Sequence, residues 1–191
     1  MMKKVILVIA FALFGFAVNA QNAAIVKFPA VDTSPLDVVY YPINAAKVKK
    51  EDPSMPIIKV LYSRPSRKGR EIFGVLEQFD KVWRLGANES TEITFNRTVT
   101  IGDKKIKAGN YSLFAIPNKD KWTIIVNKQV DRWGAFTYNE AKDVVRVDVP
   151  VVKLDKGIES FSITFTDSAN GANMVMGWDT TQVTLPIAFK K

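Results

Sequence analysis

Cationic side chains are concentrated in one stretch of the sequence, from Ser63 to Glu89 (SRPSRKGREIFGVLEQFDKVWRLGANE). Arg64, Arg70 and Arg84 stand out there, because a guanidinium group can bind carboxylate, phosphate or sulfate through two parallel hydrogen bonds. Glycines between them permit backbone turns that could bring the arginines together. The stretch therefore predicts an anion-binding site. An alternative stays open, in which each arginine pairs with an acidic residue and locks a loop in place.

Aromatic residues within and beyond this stretch predict a second kind of recognition. Flat indole and phenol rings suit the apolar faces of sugars, although such rings more often pack in the core or under loops. A carbohydrate platform is thus an interpretation to be weighed against simple packing. The residues concerned are Trp83, Trp133, Tyr138 and Trp178.

Asn88 and Glu89 end the stretch and have two interpretations. Glu89 could act as a general acid or base together with Asp179 or Asp131 in a glycan-acting hydrolase or lyase. Alternatively, Asn88 is a turn residue before a strand, and Glu89 is an ion-pair partner for a nearby arginine. We assign no catalytic residue, and we expect binding without catalysis.

The absence of two residue types excludes several mechanisms. The chain contains no Cys and no His. Cysteine nucleophiles, Ser-His-Asp triads and zinc sites of the usual His/Cys type are therefore impossible. We expect no cofactor and no resident metal ion. Because no disulfide can form, the fold must be stable through packing alone.

The N-terminus has the pattern of a secretory signal peptide, which predicts a periplasmic or secreted protein. Lys3 and Lys4 precede an apolar run, and small residues at Val18-Asn19-Ala20 predict cleavage after Ala20. The run is too short to span a bilayer comfortably, so we expect no transmembrane segment. Loss of the two lysines lowers the formal net charge from +8 to +6. The lysines are spread along the chain and form no basic stripe interleaved with aromatic residues, so we expect no nucleic-acid binding.

The elements that must position these residues are predicted strands. Alternating apolar residues indicate strands at Leu36–Tyr41, Ile57–Tyr62 and Thr91–Thr100, followed by hairpins through Tyr111–Ile116 and Trp122–Asn127. Two more strands are predicted at Val144–Val152 and Glu159–Thr166, with a turn at Asp155-Lys156-Gly157, and the last at Met174–Phe189. No long amphipathic helix is predicted. This pattern favours an all-β, antiparallel sandwich or jelly-roll-like fold.

The last strand has an uneven second face. Val175, Gly177, Val183, Leu185 and Ile187 share one parity and are predicted to face the core. Met174, Met176 and Trp178 share the opposite parity, followed by polar residues. We expect another segment to cover this apolar patch; left open, it would fit a structural envelope protein that binds a partner.

The chain is predicted to form a single domain after the signal peptide. We divide it into residues 1–20 (signal peptide), residues 21–35 (an irregular N-terminal segment) and residues 36–191 (the β-domain). A charged, Pro-rich surface loop is predicted at Lys47–Pro56.

Several motifs in order resemble the DUF2911 family of exported bacterial proteins. They are Tyr62-Ser63-Arg64-Pro65-Ser66, Lys68-Gly69-Arg70, Ile72-Phe73-Gly74, Lys81-Val82-Trp83-Arg84, Gly86-Ala87-Asn88-Glu89, Ala108-Gly109, Tyr111-Ser112-Leu113-Phe114, Trp133-Gly134-Ala135-Phe136, Tyr138 and Trp178-Asp179. The resemblance runs from about Leu36 to Ile187. It implies export in Bacteroidetes-type bacteria and a shared fold, but no reaction. The chain departs from the family pattern at two places. Tyr40–Pro56 is longer and more charged than the short link expected before the Ser-Arg-Pro strand, and Leu76–Asp80 replaces what is usually a Pro/Gly turn.

Together these observations predict the non-catalytic binding of a small anionic or carbohydrate ligand. The expected site residues are Arg64, Arg70, Trp83, Arg84, Asn88, Glu89, Trp133, Tyr138, Trp178 and Asp179.

Overall fold

The structure is a computed structural model that describes residues 25–47 and 56–189. The predicted signal peptide and most of the predicted loop at Lys47–Pro56 lie outside these ranges. The chain divides into two units between Ala30 and Val31. Residues 25–35 contain no helix or strand.

Strands dominate the described residues, with two short 3₁₀ helices, η1 and η2, between them. The elements in chain order are β1 (Leu36–Tyr41), η1 (Ile43–Lys47), β2 (Ile58–Ser63), β3 (Thr91–Phe95), β4 (Val99–Ile101), β5 (Lys104–Ile106), β6 (Gly109–Pro117), β7 (Lys121–Asn127), η2 (Glu140–Lys142), β8 (Asp143–Ser168) and β9 (Gly171–Phe189).

The strands form one antiparallel sheet in the order β1-β2-β3-β6-β7-β8-β9-β4-β5. The long strand β8 belongs to both halves of this sheet. Its first part, Asp143–Pro150, pairs with β7, and its second part, from Val151 to Ser168, pairs with β9. We call the strands from β1 to the first part of β8 the first half, and the remainder the second half.

The two halves enclose a common hydrophobic core and are joined by hydrogen bonds. The Tyr62 hydroxyl on β2 accepts a hydrogen bond from the Ile163 amide on β8 at 3.0 Å. Directly after β2, the Pro65 carbonyl accepts from the Phe161 amide at 2.9 Å. The predicted all-β antiparallel fold is confirmed. Its layers come from one continuous sheet folded over its own core.

The predicted alternation correctly identified the core faces of two strands. Ile58, Val60 and Tyr62 on β2 are all buried, as are Phe161, Ile163 and Phe165 on β8. Side chains of both strands meet in the core, where the rings of Tyr62 and Phe161 lie edge to face at 5.7 Å. Period-two patterning was reliable here because each strand has one face toward the core and one away from it.

The predicted turn at Asp155-Lys156-Gly157 is wrong, because β8 continues through it as one strand of 26 residues. The pairing of β8 with β9 changes register between Lys153 and Ile158 and again between Ile158 and Ser162. Irregular pairing absorbs the extra residues of β8. Turn-forming residue types at this position thus mark bulges rather than a chain reversal.

The prediction of a single strand at Thr91–Thr100 is also wrong, because this segment contains two strands that pair with different partners. β3 ends at Phe95 and pairs with β2 and β6 in the first half of the sheet. β4 begins at Val99 and pairs with β5 and β9 in the second half. The buried positions have the same parity on both sides of the break because both strands face the same core.

The predicted parity of the last strand holds only for its second part. Met174, Met176 and Trp178 are fully buried, so the apolar patch is covered as expected, while Val175 is only partly buried. Asp179 has a positive φ of 51°, and beyond it Val183, Leu185 and Ile187 face the core. This irregularity shifts the alternation by one residue, which a strict period of two does not anticipate.

Candidate functional site

The arginine-rich stretch is an insertion between β2 and β3 that contains no named strand. Isolated bridges attach it to the sheet at two places and to the loop between β7 and η2 at a third. Ser66 pairs with Ser160, Trp83 with Ala115, and Glu89 pairs with Trp133. These backbone contacts hold the insertion in a defined position despite its irregular conformation.

One cavity of about 390 Å³ lies beneath this insertion, and we call it the basic cavity. Its charged lining consists of Lys68, Arg70, Arg84 and Glu77. The rest of its wall includes Pro65, Ser66, Leu76, Gly86, Ala87 and Trp178. A cavity of this size lies within the range of small-molecule binding sites.

Arg84 is the most unusual cation of the basic cavity. Its Nε atom is buried and has no hydrogen-bond partner. The backbone around it is fixed, since the Trp83 amide donates to the Ala115 carbonyl at 2.7 Å and the Arg84 carbonyl accepts from the Thr91 amide at 3.1 Å. A buried donor without a partner costs about 1–3 kcal/mol. A rigid strand-like segment thus presents an unsatisfied guanidinium to the cavity.

Glu77 is the acidic residue of the basic cavity, and burial raises its pKa from 4.5 to about 7. The positive charges of Arg84 and Arg70 lower this pKa, but they do not offset the cost of desolvating the carboxylate. A tight loop positions the residue: the Glu77 amide donates to the Ile72 carbonyl at 2.9 Å, and the Glu77 carbonyl accepts from the Gly74 amide at 2.8 Å. Ile72, fully buried, anchors this loop in the core.

Arg70 lies at the rim of the basic cavity and is exposed. Its Nε donates to the Arg67 carbonyl at 2.9 Å, and its Nη2 donates to the Ser66 carbonyl at 2.7 Å. Lys68, also exposed, has a positive φ of 51° in the same turn. These two bonds orient the Arg70 guanidinium without neutralising its charge.

Arg64 does not line the basic cavity. Its Nη1 forms an ion pair with Asp37 at 2.9 Å, its Nη2 donates to the Ser162 hydroxyl at 2.8 Å, and its Nε donates to a backbone carbonyl at 3.2 Å. The side chain therefore ties β1 and β2 to β8. Among the three predicted arginines, Arg64 fits the alternative interpretation, in which an arginine pairs with an acidic residue and holds the chain in place.

Asp179 is also engaged internally. Its Oδ1 lies 3.3 Å from Arg67 Nε, which is an ion-pair distance. The alignment is not that of a hydrogen bond, because Arg67 Nε donates instead to the Arg70 carbonyl and Asp179 Oδ1 is buried without a hydrogen bond. The contact connects the insertion to the irregular point of β9.

Trp83 and Trp178 stack in the core with ring centroids 6.0 Å apart. Trp83 donates from Nε1 to the Gly86 carbonyl at 3.1 Å, and Trp178 donates from Nε1 to the Glu159 carbonyl at 3.2 Å. Trp178 forms part of the wall of the basic cavity although it is fully buried. The two indoles thus form part of the packed core next to the basic cavity.

Glu89 and Trp133 line a second cavity of about 380 Å³, which shares no lining residue with the basic cavity. Trp133 is 62% exposed, and Asp131 lines the same cavity. The Ser90 amide donates to the Arg132 carbonyl at 2.8 Å, which holds the loop between β7 and η2 against the insertion. The pair of Glu89 and Asp131 therefore shares a cavity, whereas Glu89 and Asp179 do not.

Asn88 and Tyr138 line neither cavity. Asn88 has a positive φ of 58°, as expected of a turn residue, and its carbonyl accepts from the Gly134 amide at 2.9 Å. The Tyr138 hydroxyl donates to Asp143 at 2.6 Å and accepts from Arg146 at 2.7 Å. Burial and the Asp143 hydrogen bond raise the pKa of Tyr138 to about 12.

The structure therefore divides the predicted site. Arg70, Arg84 and Trp178 share the basic cavity, and Glu89 and Trp133 share the second cavity. Sequence reasoning did not single out Lys68 or Glu77. Both residues lie in the predicted stretch. The only sequence signal for Glu77 is a carboxylate next to apolar residues.

Within residues 25–47 and 56–189, no group of three or more metal-ligating carboxylates lies close enough together to hold an ion. In the same part of the chain, no helix has the length and apolar character required to cross a membrane.

Fold and cavity together define an all-β antiparallel protein with a cationic cavity under an arginine-rich insertion. The chain belongs to the DUF2911 family, whose model matches residues 44–187 and which is described as a protein of unknown function. Neither a curated protein nor a solved structure matches the chain.

Proposed function

We propose that the protein binds, without catalysis, a small anionic or carbohydrate ligand in the basic cavity, with the anionic group as the recognised feature. The observation that carries this proposal is Arg84, whose buried Nε has no hydrogen-bond partner. Most buried polar groups in native proteins have a partner. Arg84 also lines the cavity, so an anion there would lie against its guanidinium group and compensate its charge.

The charge of the cavity supports the same conclusion. Lys68, Arg70 and Arg84 line it together with a single acidic residue, Glu77. Glu77 is only partly ionised near neutral pH, because its pKa is raised to about 7. The cavity is therefore cationic under physiological conditions, and its partly enclosed walls strengthen the attraction of an anion relative to an open surface.

The arginines are also suited to this task because their positions are restricted before a ligand binds. The Arg84 backbone is bonded on both sides, and Arg70 is oriented by two carbonyl groups. Less conformational entropy is lost on binding when the recognising groups are already positioned. A carboxylate, sulfate or phosphate group matches the planar guanidinium fork.

The experiment is a thermal-shift and calorimetric titration with sulfate, phosphate and glucuronate at constant ionic strength. We expect stabilisation of the wild-type protein at millimolar ligand and an increase of about tenfold or more in Kd for Arg84→Gln, which removes a charge-assisted hydrogen bond. Arg132→Gln is the matched control, since Arg132 is an exposed arginine that lines the second cavity. Equal stabilisation of Arg84→Gln and wild type, or none in either, would refute the proposal.

Arg64→Ala separates binding from folding. Arg64 bonds Asp37 and Ser162 rather than the cavity. We expect this variant to be less stable than wild type but to show the same ligand-induced shift. Loss of the shift on removal of Arg64 would instead place the binding site at β1 and β8.

We also propose that the protein functions outside the cytoplasm, on the basis of its N-terminal sequence. Met1–Ala20 has the basic start, apolar run and small-residue end of a cleavable signal. Fractionation of the source cells should recover a protein whose first residue is Gln21. A cytoplasmic protein that retains Met1 would contradict this assignment.

A further inference from the structure

Glu77 lies in the basic cavity without a partner for its carboxyl group. No hydrogen bond or ion pair within 4.0 Å joins the Glu77 side chain to any of the described residues. Its backbone is fixed by hydrogen bonds to Ile72 and Gly74. The carboxyl group is therefore held at the wall of the cavity while its oxygens stay available to a ligand.

A simple inorganic anion satisfies only the cationic part of this arrangement. An anion at Arg84 would share the cavity with the Glu77 carboxylate, since both residues line it. Like charges that share a partly buried site repel each other, and their repulsion is weakly screened by salt. The cavity thus contains a cation that attracts an anionic group and a carboxylate that needs a hydrogen-bond donor.

We infer that Glu77 determines the specificity of the basic cavity for hydroxylated carboxylates, the class to which sugar acids belong. In such a ligand the carboxylate binds Arg84 and its neighbouring cations, while a hydroxyl group on the same molecule donates to Glu77. This inference rests on the proposed function, because it names the ligand class of the same site. It adds a second recognition element that a bare anion cannot satisfy.

The remaining walls of the cavity agree with a ligand of this kind. Leu76, which is 42% exposed, provides apolar surface in the lining of the cavity. A sugar ring combines hydroxyl groups at its edge with apolar C–H groups on its faces, and apolar side chains pack against such faces. The volume of about 390 Å³ is at the lower end of the range for small-molecule sites. A single acidic sugar unit is therefore a better match than a long chain.

The test compares two ligands of the same charge and ring size. Glucuronate carries a carboxylate and several hydroxyl groups, whereas cyclohexanecarboxylate carries the carboxylate alone. Calorimetric titrations are made at pH 8, where Glu77 is mostly ionised. We expect wild-type protein to bind glucuronate at least tenfold more tightly, because a hydrogen bond to a charged group contributes about this factor.

Two variants at position 77 assign the preference to this residue. Glu77→Leu removes the acceptor and should bind both carboxylates with Kd values within about twofold of each other. Glu77→Gln keeps a weaker, neutral acceptor and should show an intermediate preference. Glu71→Gln, an exposed residue of the same insertion, is the control and should retain the wild-type ratio.

The outcomes separate this inference from the proposed function. If both carboxylates bind wild type through Arg84 with equal affinity, or if the ratio is unchanged in Glu77→Leu, the specificity inference is overturned while anion binding stands. If neither carboxylate nor sulfate binds, the proposed function and the inference fail together. If Glu77→Leu does not fold, Glu77→Gln takes its place. Its preference for glucuronate over cyclohexanecarboxylate must then be smaller than that of the wild type.

Discussion

Glu77→Gln should change the pH dependence of stability in a way that reports the environment of the basic cavity. Burial raises the pKa of Glu77 from 4.5 to about 7. In the unfolded chain the residue loses its proton near its ordinary pKa, whereas in the folded protein it keeps the proton up to about pH 7. The folded state is thus favoured at low pH, and this contribution is lost as the pH rises between the two values.

The size of the effect follows from the shift. A displacement from 4.5 to about 7 corresponds to at most about 3 kcal/mol of unfolding free energy. Glutamine resembles the protonated acid and has no proton to lose. We therefore expect Glu77→Gln and wild type to be nearly equal in stability at pH 4.5, and the variant to be more stable by up to about 3 kcal/mol at pH 8.

Urea denaturation followed by tryptophan fluorescence can measure this difference between pH 4.5 and pH 8. Trp83, Trp122 and Trp178 are buried, so their emission should change on unfolding. Comparing variant with wild type at each pH cancels the titration of the other carboxylates. Glu71→Gln, which is exposed, should show no such trend. A difference that is constant over the whole range would show that Glu77 is not desolvated in the folded protein and would refute the reasoning.

Two further predictions concern the packing of the core and of the backbone. Trp83→Phe should destabilise the protein by about 1 kcal/mol more than Trp122→Phe. The reason is that Trp83 Nε1 donates a hydrogen bond to the Gly86 carbonyl, whereas the buried Trp122 Nε1 has no partner. Equal losses of stability in chemical denaturation would contradict this prediction. Gly171→Ala should cost more than about 3 kcal/mol, since its Cβ would lie 2.2 Å from the Ile187 carbonyl oxygen. Gly69→Ala is the control and should cost about 1 kcal/mol, because a Cβ there meets nothing within 4 Å and only the positive φ of 71° is unfavourable. A lower melting temperature for Gly69→Ala than for Gly171→Ala would refute this prediction.

The predicted fold was largely correct because alternation records which side of a strand is buried. Leu36–Tyr41 has the predicted bounds, and β2 differs from its prediction by one residue at each end. The errors occur where alternation is interrupted without a chain reversal. Bulges in β8 were interpreted as a turn, and the break between β3 and β4 was missed because the buried positions stay in phase across it.

The candidate site was predictable in part for a different reason. Arginines near glycines predict an anion site, and two of the three, Arg70 and Arg84, do share a cavity. Sequence spacing does not separate them from Arg64, which pairs with Asp37 on a strand distant in the chain. Glu77 could not be singled out, since its properties depend on burial against segments that are remote in sequence.

By itself, the sequence determined the antiparallel all-β class, the core faces of most strands and the exclusion of cysteine and histidine chemistry. These features depend on residue types and on local periodicity, which are properties of short segments. Only the tertiary structure decided which arginine remains unpaired, which carboxylate is desolvated and which indoles are covered. Those properties depend on long-range contacts such as Arg64 with Ser162 and Trp83 with Trp178, and such contacts form only when distant segments pack together.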